Sequence, residues 1–177
     1  MKHGIILWLM LLVVYPALSQ ANLSTKSKKA IALYTQADNF RVRGEYKEAL
    51  NLLKQAIEKD KNFSEAYFRQ GLIHKTLREY PQATTLYLKG LSLNTELKKQ
   101  KVYFLELGEV YLLEGDYEKS LEFLNRYLDA EIINKPKIEQ ASLWKRNAVF
   151  ALANKKIASQ FQPHPLSDTV NAFVMQY

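Results

Sequence analysis

Apolar residues recur three and four positions apart along most of this chain, and the recurrence breaks at a few points marked by glycine or proline. Leu33, Ala37 and Phe40 form one stripe between residues 30 and 43, and Ala49, Leu50, Leu53, Ala56 and Ile57 form a second after Tyr46. Such spacing puts each set on one face of a helix. Gly44 separates the two, where a glycine takes a left-handed turn backbone at no steric cost. The alanines fall where two helices of a hairpin would cross closely.

The scheme repeats. Ser64-Glu65 reads as a helix start, followed by Tyr67, Gln70, Gly71 and His74 in the positions of Leu33, Gln36, Ala37 and Phe40. Pro81 opens the partner helix, where its missing N–H is harmless, and Ala83, Tyr87 and Gly90 supply its inner face. A third copy carries Phe104, Leu107, Gly108 and Tyr111, then Gly115, Tyr117, Leu121, Leu124 and Tyr127. After a linker over 132–137, Leu143-Trp144, Asn147-Ala148 and Ala151 match a first helix with no second to follow. The pattern predicts seven helices: pairs at 30–63, 64–97 and 101–131, and a lone helix at 137–156 whose Leu143 and Trp144 cover the third pair.

Gly44-Glu45-Tyr46-Lys47-Glu48-Ala49-Leu50 and Gly115-Asp116-Tyr117-Glu118-Lys119-Ser120-Leu121 are copies of one motif. Arg78-Glu79-Tyr80-Pro81-Gln82-Ala83 is a degenerate third copy, 34 residues after the first and 37 before the last. A period near 34 residues belongs to stacked helical hairpins. With Gly108, Tyr111 and the small residues of the second helices, the stretch from Ala30 to Ala153 resembles the tetratricopeptide repeat (TPR) family. The resemblance implies an all-α fold: a right-handed superhelix of three TPR hairpins plus a C-terminal capping helix, followed by an irregular tail. Arg78 in place of a turn glycine and Tyr127 in place of a small residue depart from the family pattern.

The ends read differently. Lys2, the apolar run from Ile5 to Tyr15 and Ala17-Leu18-Ser19 compose a cleavable signal peptide over 1–19, the run being too short to span a bilayer. A lead-in occupies 20–29. From 157 to 177, Pro163-His164-Pro165 forbids a continuing helix, and Val170 to Tyr177 reads as an extended tail or the start of a following domain. An exported array with Pro163, Pro165, Leu166, Asn171, Gln176 and Tyr177 after it is similar to the repeat region of Bacteroidetes envelope proteins. There a TPR array precedes a WD-repeat-like β-propeller and an OmpA-like, peptidoglycan-binding domain, and some members serve type IX secretion or gliding. That resemblance implies a periplasmic, outer-membrane-associated protein, with any peptidoglycan contact made through domains absent from this chain.

Composition narrows the chemistry. With no cysteine, neither disulfides nor thiolate ligands are available. The net charge of +7 comes from lysines clustered at helix ends and linkers, among them Lys98, Lys99 and Lys101 and then Lys135 and Lys137. Without a nucleic-acid motif or a single basic, aromatic-bearing face, this charge speaks for solubility and attraction to an anionic surface rather than for nucleic acid. No phosphate loop, metal-ligand spacing or nucleophile motif is present, and His74 reads as a packing residue, so neither enzyme activity, cofactor nor metal is expected.

The family lines a concave groove with its first helices. Carried over by register, the groove positions are Tyr34, Asp38 and Arg41; Phe68, Leu72 and Lys75; and Leu105, Glu109 and Leu112. Chaperone-binding relatives hold a terminal carboxylate with lysine and asparagine where this chain has Tyr34 and Asp38, so that clamp is missing. The expected function is an exported scaffold that docks a protein or peptide partner in the cell envelope. The alternative is a spacer that orders downstream domains and has no groove ligand.

Overall fold

A computed structural model describes residues 23–160. They form seven helices: α1 (Lys28–Val42), α2 (Tyr46–Lys59), α3 (Ser64–Thr76), α4 (Tyr80–Ser92), α5 (Leu97–Glu114), α6 (Tyr117–Ala130) and α7 (Lys135–Gln160). The signal peptide expected over 1–19 and the tail from 161 lie outside the described residues. α5 starts at Leu97 rather than near 101, since the lysine-rich stretch before Val102 is helical. α7 runs from Lys135 to Gln160, two residues earlier and four later than the stripe marked out, with Pro136 accommodated in its first turn.

α1 packs on α2, α3 on α4 and α5 on α6; α2 meets α3, α4 meets α5, and α7 lies against α6 and α5. These are three hairpins stacked into a superhelix, with a seventh helix closing the end. The small residues set the spacing. A Cβ on Gly71 would lie 2.6 Å from the Tyr87 ring, and one on Gly108 would lie 2.6 Å from Leu124, so each hairpin closes on bare backbone. The Ser120 hydroxyl completes the third crossing by donating to the Gly108 carbonyl at 2.7 Å. Between hairpins, the Tyr103 ring lies over Gly90 and its hydroxyl donates to the Ser64 carbonyl at 2.9 Å.

All three hairpin turns make the same bond, from the amide just after the turn residue back to a carbonyl five positions earlier: Glu45 to Phe40, Glu79 to His74 and Asp116 to Tyr111. This closure needs a left-handed residue between. Gly44 and Gly115 supply it at φ +79°, and Arg78 adopts it too, at φ +61°. His74 is not a core residue: its Nδ1 pairs with Glu79 at this turn and its side chain is partly exposed.

The cap differs from expectation in which residues it buries. Ala141 and Ala148 are fully buried and Trp144 packs against the cluster that holds Leu124 and Tyr127, but Leu143 faces water. Positions 141, 144 and 148 form the inward stripe, and Leu143 is rotated off it.

Candidate functional site

α1, α3 and α5 stand side by side, and the positions between their crossings form one wall. Tyr34 on α1 packs its ring 5.1 Å from Phe63, and its hydroxyl accepts a hydrogen bond from Arg69 at 3.0 Å. Phe68 on α3 stands edge-on to Tyr103 at 5.2 Å and tilted against Tyr87 at 5.5 Å. Leu105 on α5 is buried, and Leu72 and Leu112 are half-buried. Of the apolar positions in the expected set, Tyr34, Phe68 and Leu105 border the recesses described below, whereas Leu72 and Leu112 border neither.

Its charged members pair with one another instead. The Asp38 carboxylate takes Arg41 Nε at 2.8 Å and has Arg69 Nε at 3.3 Å. Lys75 Nζ sits between Glu106 at 2.6 Å and Glu109 at 2.5 Å. Burial alone would lower the Lys75 pKa, but the two carboxylates outweigh it and hold the ammonium above its ordinary value. Each cluster ties one first helix to the next, α1 to α3 and α3 to α5.

Two recesses open on this wall. The smaller, about 250 Å³, lies among Tyr34, Ser64, Phe68, Asn94, Val102 and Tyr103. The larger, about 420 Å³, is bounded by Phe68, Val102, Leu105, Glu106, Tyr127 and the start of α7 at Asn134 and Lys137. Phe68 and Val102 belong to both, so the recesses join into one trough with an apolar floor. Tyr127, 2% exposed, lines the larger recess, and its hydroxyl has no hydrogen-bond partner among the described residues. Burial pushes the Tyr103 phenol up to about 12, so it stays a protonated donor to Ser64. A separate open recess of about 590 Å³ lies between α3 and α4, beside His74 and Pro81.

At the closed end, Glu131 joins three elements. Its carboxylate takes Lys101 Nζ of α5 at 2.6 Å and accepts the amides of Ile133 and Asn134 at 3.1 and 3.2 Å. The Lys101 ammonium, and then these amides, hold its pKa down to about 2. Asn134 in turn caps α7 by accepting from the Lys137 amide at 3.3 Å.

Val102, Glu106 and Tyr127 complete the trough, and Arg69 holds Tyr34 at its edge; none was among the positions carried over by register. Val102 stands three residues before Leu105 and Glu106 four after Val102, so the helical period itself marks them. Tyr127 and the Asn134–Lys137 turn come from α6 and α7, and only the stacking brings them here. Among the described residues no group of three or more His, Asp or Glu could hold a metal ion.

The comparisons with known proteins agree with this architecture. Residues 34–95 match the family model described as tetratricopeptide repeat. Tetratricopeptide repeat protein 12 of Mus musculus is 37% identical over 76 residues, which are 42% of this chain and 11% of that protein. The match thus spans about a tenth of the curated relative's length. Among solved structures, the first TPR of Spaghetti (RPAP3), bound to the HSP90 peptide SRMEEVD, superposes with a TM-score of 0.64 at 19% identity over 73% of this chain and 97% of that one. The type III secretion chaperone SycD of Yersinia enterocolitica, in complex with a peptide of the translocator YopD, gives 0.60 at 22% identity, over 73% of this chain and 96% of that one. The TPR2B domain of yeast Sti1 gives 0.62 at 15% identity, over 70% and 98%. At these identities the likeness is one of fold, and the fold is of the tetratricopeptide type.

Proposed function

We propose that this chain is an exported protein-interaction module whose trough takes an extended, largely apolar segment of a partner protein. The trough floored by Phe68, Val102 and Leu105 carries the reading: it is apolar, continuous along two first helices and lined at one end by a hydroxyl without a partner. Extended peptides dock in such grooves by setting alternate side chains into apolar recesses while their carbonyls meet donors on the rim. Two of the similar structures hold peptides, an HSP90 peptide on Spaghetti and a YopD peptide on SycD. Most charged groups bordering the trough are paired, Lys101 with Glu131, Lys99 with Glu96 and Glu106 with Lys75, which favours an uncharged segment over an acidic terminus.

The signal-like N-terminus supports a periplasmic setting, and the tail's resemblance supports an envelope assembly at the outer membrane, serving type IX secretion or gliding. The spacer reading draws on one observation: the charged groove positions satisfy one another and need no ligand.

A photocrosslinking residue in place of Lys137, at the rim, separates the two. The binding reading expects crosslinks to one segment of one envelope protein. Val102→Glu should abolish them, and the same crosslinker in place of Leu88 on α4 should not give them. Identical products from both positions, or products indifferent to Val102→Glu, would leave the spacer.

A further inference from the structure

Beside the trough, and outside its lining, stands a group of exposed apolar side chains. The turn between α6 and α7 presents Ile132 and Ile133 at 82% and 81% exposure, and Leu97 at the start of α5 is 57% exposed. Leu97 borders the recess formed with Asp129 and Ala130 at the end of α6, so it stands beside this turn. Single exposed apolar residues are ordinary, but two adjacent isoleucines with a leucine near them form a patch that calls for an occupant. The turn is also held in shape. Glu131 accepts the amides of Ile133 and Asn134 from inside, and Lys101 anchors the carboxylate to α5. Both isoleucine side chains therefore project from a braced turn.

Lysines surround the tip. Lys98 lies one turn before Lys101 on the same face of α5, and Lys135 and Lys137 stand two and four residues after Ile133. Lys98 and Lys135 are exposed and make no salt bridge among the described residues, whereas Lys101 pairs with Glu131 and Lys99 with Glu96. The acidic groups at this edge are Glu96 and Glu131, both paired, together with exposed Asp129 and Glu139.

We propose that this edge is a lipid-surface contact, in which Ile132 and Ile133 enter the headgroup layer of an anionic membrane and the lysines face the phosphates. The shape favours lipid over a protein pocket, because the apolar element is a convex two-residue tip with positive charge around it. An apolar tip with basic flanks is the pattern of interfacial attachment, where each lysine near an anionic surface strengthens binding about fivefold. Among the described residues no helix is long and apolar enough to cross a membrane, so contact through this part is peripheral. The surface acts independently of the trough, and either reading survives failure of the other.

The absence of cysteine makes the test clean. Ile133→Cys in the full chain is labelled with an environment-sensitive fluorophore and mixed with phosphatidylcholine vesicles with or without phosphatidylglycerol. The label reports immersion of this site, so attachment through another part of the chain does not imitate it. The expected result is a blue shift and gain in emission with anionic vesicles only. It is reversed at about 1 M salt, where screening acts over ~3 Å, and is absent from a label at Val42→Cys on α1. Lys98→Gln with Lys135→Gln should raise the lipid needed by roughly 25-fold. A label that stays in water with anionic vesicles overturns the proposal, as does a response indifferent to phosphatidylglycerol and to both lysine changes. Burial of the label on raising protein concentration without lipid would instead make the patch a contact between copies of this chain.

Discussion

Arg78 occupies a backbone conformation that Gly44 and Gly115 adopt freely. A side chain in the left-handed region costs about 1–2 kcal/mol, partly offset by the greater freedom that glycine loses on folding. Arg78→Gly should therefore stabilise the chain by about 0.5–1 kcal/mol, seen as a melting temperature a few degrees higher. A lower melting temperature would show that the arginine side chain contributes more than its backbone costs. Gly108 poses the opposite case, with Leu124 against its α-carbon. Gly108→Leu should cost about 1–3 kcal/mol in urea denaturation, while Asn125→Leu on the exposed side of α6 should move the midpoint little. The close crossings at Gly71 and Gly108 were legible because hairpins of fixed period need small residues at fixed places. The left-handed Arg78 was legible only as a departure: the repeat placed a turn there, and the shared turn hydrogen bond, which residue preferences do not carry, imposed the conformation.

The elements were easiest to read where glycine marked their ends and hardest where lysine or proline stood at a boundary. Lysine is a good helix former, so α5 extends back to Leu97 through residues that resemble a linker, and Pro136 sits in a first turn, where proline is tolerated. In α7 the period showed an amphipathic helix, yet two apolar faces were available, and only packing chose 141, 144 and 148 over Leu143. Cutting the chain after Asn134 would uncover the cluster of Leu124 and Tyr127. Such a protein should self-associate in analytical ultracentrifugation; a stable monomer would show that α7 is no cap. Glu131 gives the cap a pH dependence. Its pKa is depressed from 4.5 to about 2 in the folded chain, so its contribution is complete above the unfolded value and is lost as pH falls towards 2. The melting-temperature gap between the wild type and Glu131→Gln should therefore be constant above pH 4.5 and close below it. A gap unchanged at pH 2 would mean that the carboxylate charge does not brace the turn.

In the whole molecule, register within the repeats named positions on one wall but not the partners their side chains take. Tyr34, Phe68 and Leu105 border the recesses, while Leu72 and Leu112 do not. The charged members pair instead: Arg41 with Asp38 one turn away on α1, and, across helices 31 to 34 residues apart in sequence, Asp38 with Arg69 and Lys75 with Glu106 and Glu109, relations that no single helix records. The same stacking brings Tyr127 and the start of α7 to the trough. If the chain works as proposed, this trough, and no other surface, receives a partner's extended segment. The direct test is titration of isotope-labelled full chain with a synthetic peptide of the crosslinked segment, followed by amide chemical shifts. Shifts confined to Tyr34, Phe68, Val102, Leu105 and the Asn134–Lys137 turn, with affinity at least about tenfold weaker in Val102→Glu, a loss of some 1.4 kcal/mol, are the expected result. Shifts spread over the outer faces of α2, α4 and α6, with Val102→Glu binding as tightly as the wild type, would contradict it.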